Sequence, residues 1–114
     1  MNIEDYRAYC LALSPFVEEK FPFRAFRSAS DVLVFYIHKH MFTFLDCNDF
    51  RVVTLKCQPE RIADLKERCP YIGNPYNESA KYWIGVDVTQ APDRVVKLLT
   101  LNSFLIVRDK YAKR

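Results

Sequence analysis

Three segments rich in β-branched and aromatic residues follow one another between positions 32 and 56. They are residues 32–37 (Val-Leu-Val-Phe-Tyr-Ile), 41–46 and 51–56 (Arg-Val-Val-Thr-Leu-Lys). Such content predicts strands. Only His38-Lys39-His40 separates the first two, and a turn at Cys47-Asn48-Asp49 precedes the third. Links this short join antiparallel neighbours, because a parallel crossover needs about a dozen residues or more. The first link has no glycine. A tight primed turn would be strained there, and a three-residue or bulged turn competes with it. Strict alternation turns Leu33, Phe35, Ile37, Phe42, Phe44, Val53 and Leu55 to the core. Val34, Tyr36, Met41, Thr43, Thr54 and Lys56 then form a second face, only partly polar and available to a partner.

The flanks supply helices. Residues 2–14 read as one, capped by Asn2, with Ile3, Tyr6, Cys10 and Leu13 on one side. Ser14-Pro15 stops it. In the connector 15–31, Phe16, Phe21, Phe23 and Phe26 are too apolar for a free linker. They are expected over the core edge, with Ser28-Ala29-Ser30-Asp31 exposed. Residues 59–69 start with Pro59 and carry Ile62, Leu65 and Cys69 as an apolar stripe. Asp64 and Arg68 are spaced for a pair on that helix. After a loop over 70–80 comes a fourth strand, 81–88. It has Tyr82, Ile84, Val86 and Val88 on one face and Trp83, Gly85 and Asp87 on the other. Two helical pieces follow, 92–101 and 103–111, broken or re-capped at Asn102-Ser103. The order α-β-β-β-α-β-α predicts an α+β fold, an antiparallel β-sheet with helices packed on one face.

A chain of 114 residues, half of them apolar, makes one domain over 1–114 with a real core. No uncharged run exceeds ten residues, too short to span a membrane. The acidic start Met1-Asn2-Ile3-Glu4-Asp5 is unlike a secretory signal, so a cytoplasmic protein with no membrane partner is expected. Cys10, Cys47, Cys57 and Cys69 contain no Cys-x-x-Cys and read as reduced, half-buried thiols. The net charge of +3 is spread along the chain. The dense basic end, Arg108, Lys110, Lys113 and Arg114, suits the last turn of a helix.

Several runs in order carry a family resemblance. They include Ile3-Glu4-Asp5-Tyr6, Val17-Glu18-Glu19-Lys20-Phe21-Pro22-Phe23, Asp31-Val32-Leu33-Val34-Phe35 and Lys39-His40-Met41-Phe42. The most specific are Leu55-Lys56-Cys57-Gln58-Pro59-Glu60 and Lys81-Tyr82-Trp83-Ile84-Gly85-Val86, with Asn102-Ser103-Phe104 last. Over nearly its whole length the chain resembles the MmcQ/YjbR family of small bacterial proteins. The resemblance implies a fold similar to bacterial frataxin (CyaY-like) and DNA as the partner. Where the family shows a Tyr-His-Met-Asn-Lys-x-His-Trp-like stretch, this chain reads Tyr76-Asn77-Glu78-Ser79-Ala80-Lys81-Tyr82-Trp83. Both histidines and one lysine of that loop are missing.

The candidate contacts follow from chemistry. His38, Lys39 and His40 form a tip that can meet phosphate, extended by Arg51, Lys56 and Lys81. Solvated charges that discourage edge pairing are the plain alternative. Tyr36, Tyr82 and Trp83 can stack on bases, although strand aromatics usually pack. His38 and His40 alone make a weak metal site, so no metal or cofactor is expected. The first helix offers only Glu4 and Asp5, too little for frataxin-like iron binding. No catalytic motif occurs, and the chain has only Gly73 and Gly85. The sequence therefore points to a non-enzymatic DNA-binding protein. The alternative is a protein-interaction module or homodimer using Val34, Tyr36, Met41 and Trp83. A weaker third reading places a small molecule at the Tyr71–Tyr76 loop.

Overall fold

A computed structural model describes residues 1–112; Lys113 and Arg114 of the basic end lie outside the described residues. The chain runs α1 (Ile3–Ala12), β1 (Glu18–Lys20), β2 (Val32–Ile37), β3 (His40–Asp46), β4 (Val52–Lys56) and α2 (Pro59–Arg68). It continues with β5 (Ile72–Gly73), β6 (Trp83–Asp87) and α3 (Asp93–Tyr111). One sheet has the order β1-β2-β3-β4-β6-β5, antiparallel at every step. The expected α+β class, an antiparallel sheet with helices on one face, is what the chain adopts. Two short edge strands, β1 and β5, were not expected. Three and two residues carry no readable period, and pairing with β2 and β6 defines them.

The predicted helix starts hold. Asn2 accepts from the Asp5 amide at 2.8 Å, and Pro59 opens α2. The break expected at Asn102-Ser103 is absent, and α3 is one helix of 19 residues. Both side chains are committed elsewhere, so neither competes with the helix backbone. The Asn102 amide exchanges two hydrogen bonds with Gln58, at 2.9 and 3.0 Å. The Ser103 hydroxyl donates to the Phe42 carbonyl and accepts from the Lys56 amide at 2.8 Å.

That serine sits where the sheet is irregular. The β2–β3 register pairs Phe35 with Thr43 but Tyr36 with Met41, so Phe42 is an extra residue in β3. A bulge of this kind breaks the ladder locally. Ser103 supplies partners for backbone groups at the break. The bulge also overturns the expected alternation of β3. Phe42 stays in the helix-side core, but Thr43 and Leu45 join it there, and Phe44 moves to the opposite face. Thr43 then meets the buried Tyr6 hydroxyl of α1 at 2.8 Å, which is also 3.0 Å from Thr100 of α3. This three-way contact ties two helices to the sheet and leaves no hydroxyl unpartnered.

The main core joins all three helices to one sheet face, through Tyr6 and Cys10, Ile62, and Val96, Leu99, Phe104 and Val107. A second, small core lies on the opposite face: Val32, Val34, Phe44 and Trp83, with Ala29, Tyr36 and Met41 packed against it. The connector departs from its expected pattern, although Ser28 and Asp31 are exposed as expected. Phe16, Phe21, Phe23 and Phe26 are exposed, whereas Ala29 and Ser30 are half-buried. A single 3-10 turn at Arg27–Ala29 brings the small Ala29 against the second core. Phenylalanine spacing could not reveal this, because the covering residue is the small one.

Candidate functional site

A meander alternates the ends at which its links emerge. The β2–β3 tip, the end of β4 and the start of β6 therefore share one end of the sheet, with Lys56 opposite Trp83. His38, Lys39, His40, Lys56, Lys81 and Trp83 belong to this end. Arg51 does not. It precedes β4 at the other end, where its guanidinium grips Asp49 through two bonds of 2.9 and 2.8 Å. Those bonds hold the Asp49 carboxyl below the usual carboxylate range.

The tip is a two-residue turn, closed by the Ile37–His40 pair. His38 and Lys39 have φ of 51° and 69°, the left-handed conformation that a primed turn requires. The tight turn is thus adopted without glycine, at a cost of roughly 1–2 kcal/mol per residue. It holds the Lys39 backbone in one geometry. The His40 ring stacks on Tyr111 of α3, with centroids 3.4 Å apart and planes within 7°. Lys110 lies 5.4 Å from the Tyr111 ring centroid. The last turn of α3 thereby joins the tip. Sequence reasoning assigned Lys110 only to the helix dipole, and no local signal links positions 40 and 111.

Among the described residues, none of Lys39, Lys56, Lys81 and Lys110 has a carboxylate partner. Arg7, Lys20, Arg51, Arg68 and Arg108 all have one. The Asp64–Arg68 pair forms as its spacing implied, at 2.9 Å. Arg24, Arg27, Arg61, Lys66, Arg94 and Lys97 also lack a carboxylate partner among the described residues, so what sets the hairpin end apart is that the topology brings four such lysines there from four segments.

The aromatic residues divide. Tyr82 is exposed, with the Lys81 ammonium 5.4 Å from its ring centroid. Trp83 is only 7% exposed, and its ring lies 6.2 Å from Phe44 and 5.8 Å from the Lys56 ammonium. Its place in the second core corrects the expectation of an open stacking platform. Val34 is fully buried too, so the face assigned to self-association keeps only Tyr36 and Met41 half-exposed. No group of three or more His, Cys, Asp or Glu among the described residues can hold a metal. Burial pushes the Cys10 thiol up to about 12 and raises Cys47 and Cys57. None of these three is an activated thiolate near neutral pH.

The fold matches a crystal structure of protein DR2400 from Deinococcus radiodurans, described as a DUF419 domain, with a TM-score of 0.85 and 28% identity. That match covers 99% of this chain and 83% of the other. A Pseudomonas syringae protein matches with a TM-score of 0.78 and 20% identity, covering 95% of this chain and all of the other, and shows the fold alone. No curated protein matches. No helix among the described residues is long and apolar enough to cross a membrane. The YjbR family model matches residues 12–106, the whole sheet, α2 and most of α3, and the chain belongs to the YjbR family.

Proposed function

We propose that this chain is a non-enzymatic binding protein that contacts DNA through its hairpin end. The observation that carries the reading is the grouping there of Lys39, Lys56, Lys81 and Lys110, all without carboxylate partners among the described residues. A strand of DNA backbone presents phosphates that need only positive charge at the right spacing. The Lys39 tip projects from the sheet as a wing, and His38 and Tyr82 add hydrogen-bonding and stacking surface beside it. Trp83 serves by holding Lys56 in place rather than by stacking on a base. Arg51 takes no part, since it lies at the far end and is occupied by Asp49.

Fluorescence anisotropy with labelled single- and double-stranded DNA tests this, at low and near-physiological salt. Micromolar binding that weakens steeply with salt is expected. Each lost phosphate contact lowers the logarithmic salt slope by about 0.9 on duplex DNA. Lys39→Glu and Lys81→Glu are expected to weaken binding and flatten that slope, while Arg51→Gln leaves both unchanged. An absence of binding at low salt would retire the reading.

A further inference from the structure

The opposite end of the same face holds a cleft of about 590 Å³. That is within the size range of small-molecule sites, roughly 300–1,000 Å³. Its construction begins at Gly85. A Cβ there would lie 2.5 Å from the Asn74 carbonyl oxygen and 3.3 Å from the Val52 side chain. Only glycine lets the segment after β5 cross this close over β6. Asn74, Pro75 and Tyr76 thus form one wall of the cleft, and Ser28 of the connector lies on the other side. This is the loop from which the sequence suggested small-molecule binding.

The floor is apolar: Val32 and Phe44 are buried, and Val52 is partly exposed. Thr54 lies among them and is only 2% exposed. Its hydroxyl makes no side-chain hydrogen bond, yet no fully buried side-chain oxygen among the described residues lacks a partner. The hydroxyl therefore opens onto the cleft, a donor and acceptor in an otherwise apolar floor.

Charge decides the class of ligand. Three aspartates and one arginine line the cleft, and Asp49 and Arg51 neutralise each other. Asp46 and Asp87 remain. Each uses Oδ1 to cap its own turn, from the Asn48 amide at 2.8 Å and the Thr89 amide at 2.9 Å. Each Oδ2 is left over. Val52 pairs with Asp87, and β3 brings Asp46 to the other side of Val52, one step beyond the Leu45–Val53 pair. Asp46 and Asp87 thus stand on one face, on strands two spacings or about 10 Å apart, with an apolar side chain between them.

We propose that this cleft binds a short linear diamine. One ammonium pairs with Asp46 and the other with Asp87. The methylene spine lies over Val52 and Phe44, and the Thr54 hydroxyl accepts a hydrogen bond from an ammonium. An anionic ligand would face two carboxylates that no salt bridge neutralises, Asp87 being only partly offset by the more distant Arg51, and a monoamine would satisfy only one.

Cadaverine is the probe, titrated by calorimetry and by amide NMR, with n-pentylamine as the single-charge control of equal length. Cadaverine is expected to bind about tenfold more tightly than n-pentylamine, one charge-assisted contact apart. The amide peaks of Thr54, Gly85 and Asn74 should shift, and that of Lys39 should not. Asp46→Asn and Asp87→Asn are each expected to reduce cadaverine affinity about tenfold and to abolish its advantage over n-pentylamine. Both keep an amide oxygen for the turn bond, and unchanged melting temperatures would show the fold intact. Thr54→Val, close in shape, should weaken binding a few-fold. Equal affinity for the two amines, binding that survives both aspartate variants, or unmoved Thr54 and Gly85 peaks at millimolar cadaverine would each overturn the proposal.

Discussion

The two faces of the sheet bury apolar side chains in different ways. On the helix side, α1, α2 and α3 close over a cluster of twenty buried residues, tied by the Tyr6–Thr43–Thr100 contact. On the other side the apolar cluster has only four buried residues, with Ala29, Tyr36 and Met41 packed against them and Lys56 over Trp83. The first face is large enough to supply the stability of a small domain. The second is left with a hollow, where the cleft lies, and the hairpin-end site joins it to the last turn of α3 at the edge between the two faces. Stability thus rests on one face of the sheet, and recognition falls to the other face and its edge.

Truncating one large aromatic on each face puts the division to its hardest test. Phe42→Ala removes a fully buried ring packed against Phe35 and Phe104, and should cost about 3–5 kcal/mol in urea unfolding. Trp83→Ala should cost less, about 2 kcal/mol, because the cavity opens toward solvent and can fill with water. Equal losses would erase the distinction between the faces.

Ser103→Ala probes the seam between helix and bulge. It leaves the Phe42 carbonyl and the Lys56 amide without the hydroxyl that joins them, and should cost about 2 kcal/mol by the same assay.

Alkaline titration should affect the helix side. Burial raises Cys10 from its ordinary 9.0 to about 12, and raises Tyr6 as well. The unfolded thiol ionises first, so this contribution is complete below pH 9 and is lost as pH rises toward 12. By pH 10 the loss through Cys10 should be about 1 kcal/mol. Melting temperatures between pH 8 and pH 10.5 check the sign. Cys10→Ala should flatten the curve, although it is less stable at pH 7.

The smallest effect concerns the tip. Lys39→Gly relieves the left-handed strain and should stabilise the fold by about 1 kcal/mol. It should weaken DNA binding at the same time. A variant more stable yet poorer at binding would sharpen the contrast between a face built for stability and a tip held for contact.

Much of the scaffold was legible because its causes are local. Asn2 and Pro59 marked helix starts by their chemistry. Trp83, Gly85 and Asp87 were assigned together to one face by the two-residue period of a strand, and they do share it. Part of the hairpin end was legible too, since a meander returns Lys56 and Trp83 to the end of the first turn, but Arg51 was grouped with it and lies at the other end, and Lys110 was not. What failed, failed for physical reasons. The extra residue at Phe42 changes the face of every later residue in β3, and nothing in residues 40–46 announces it. Ser103, from 61 positions away, bonds the Phe42 carbonyl. Asn102-Ser103 looked like a helix break because their distant partners were invisible.

The sequence by itself determined the α+β class, the helices and the four longer strands in their order, the antiparallel meander and the pool of cationic candidates. These rest on periodicity, capping chemistry and link length, which act over a few residues. Only the tertiary structure decided which cations remain unpaired, that Trp83 packs rather than stacks, that Tyr111 meets His40, and that Asp46 and Asp87 flank one cleft. Those outcomes depend on register and on contacts between distant segments, and register changes with a single inserted residue.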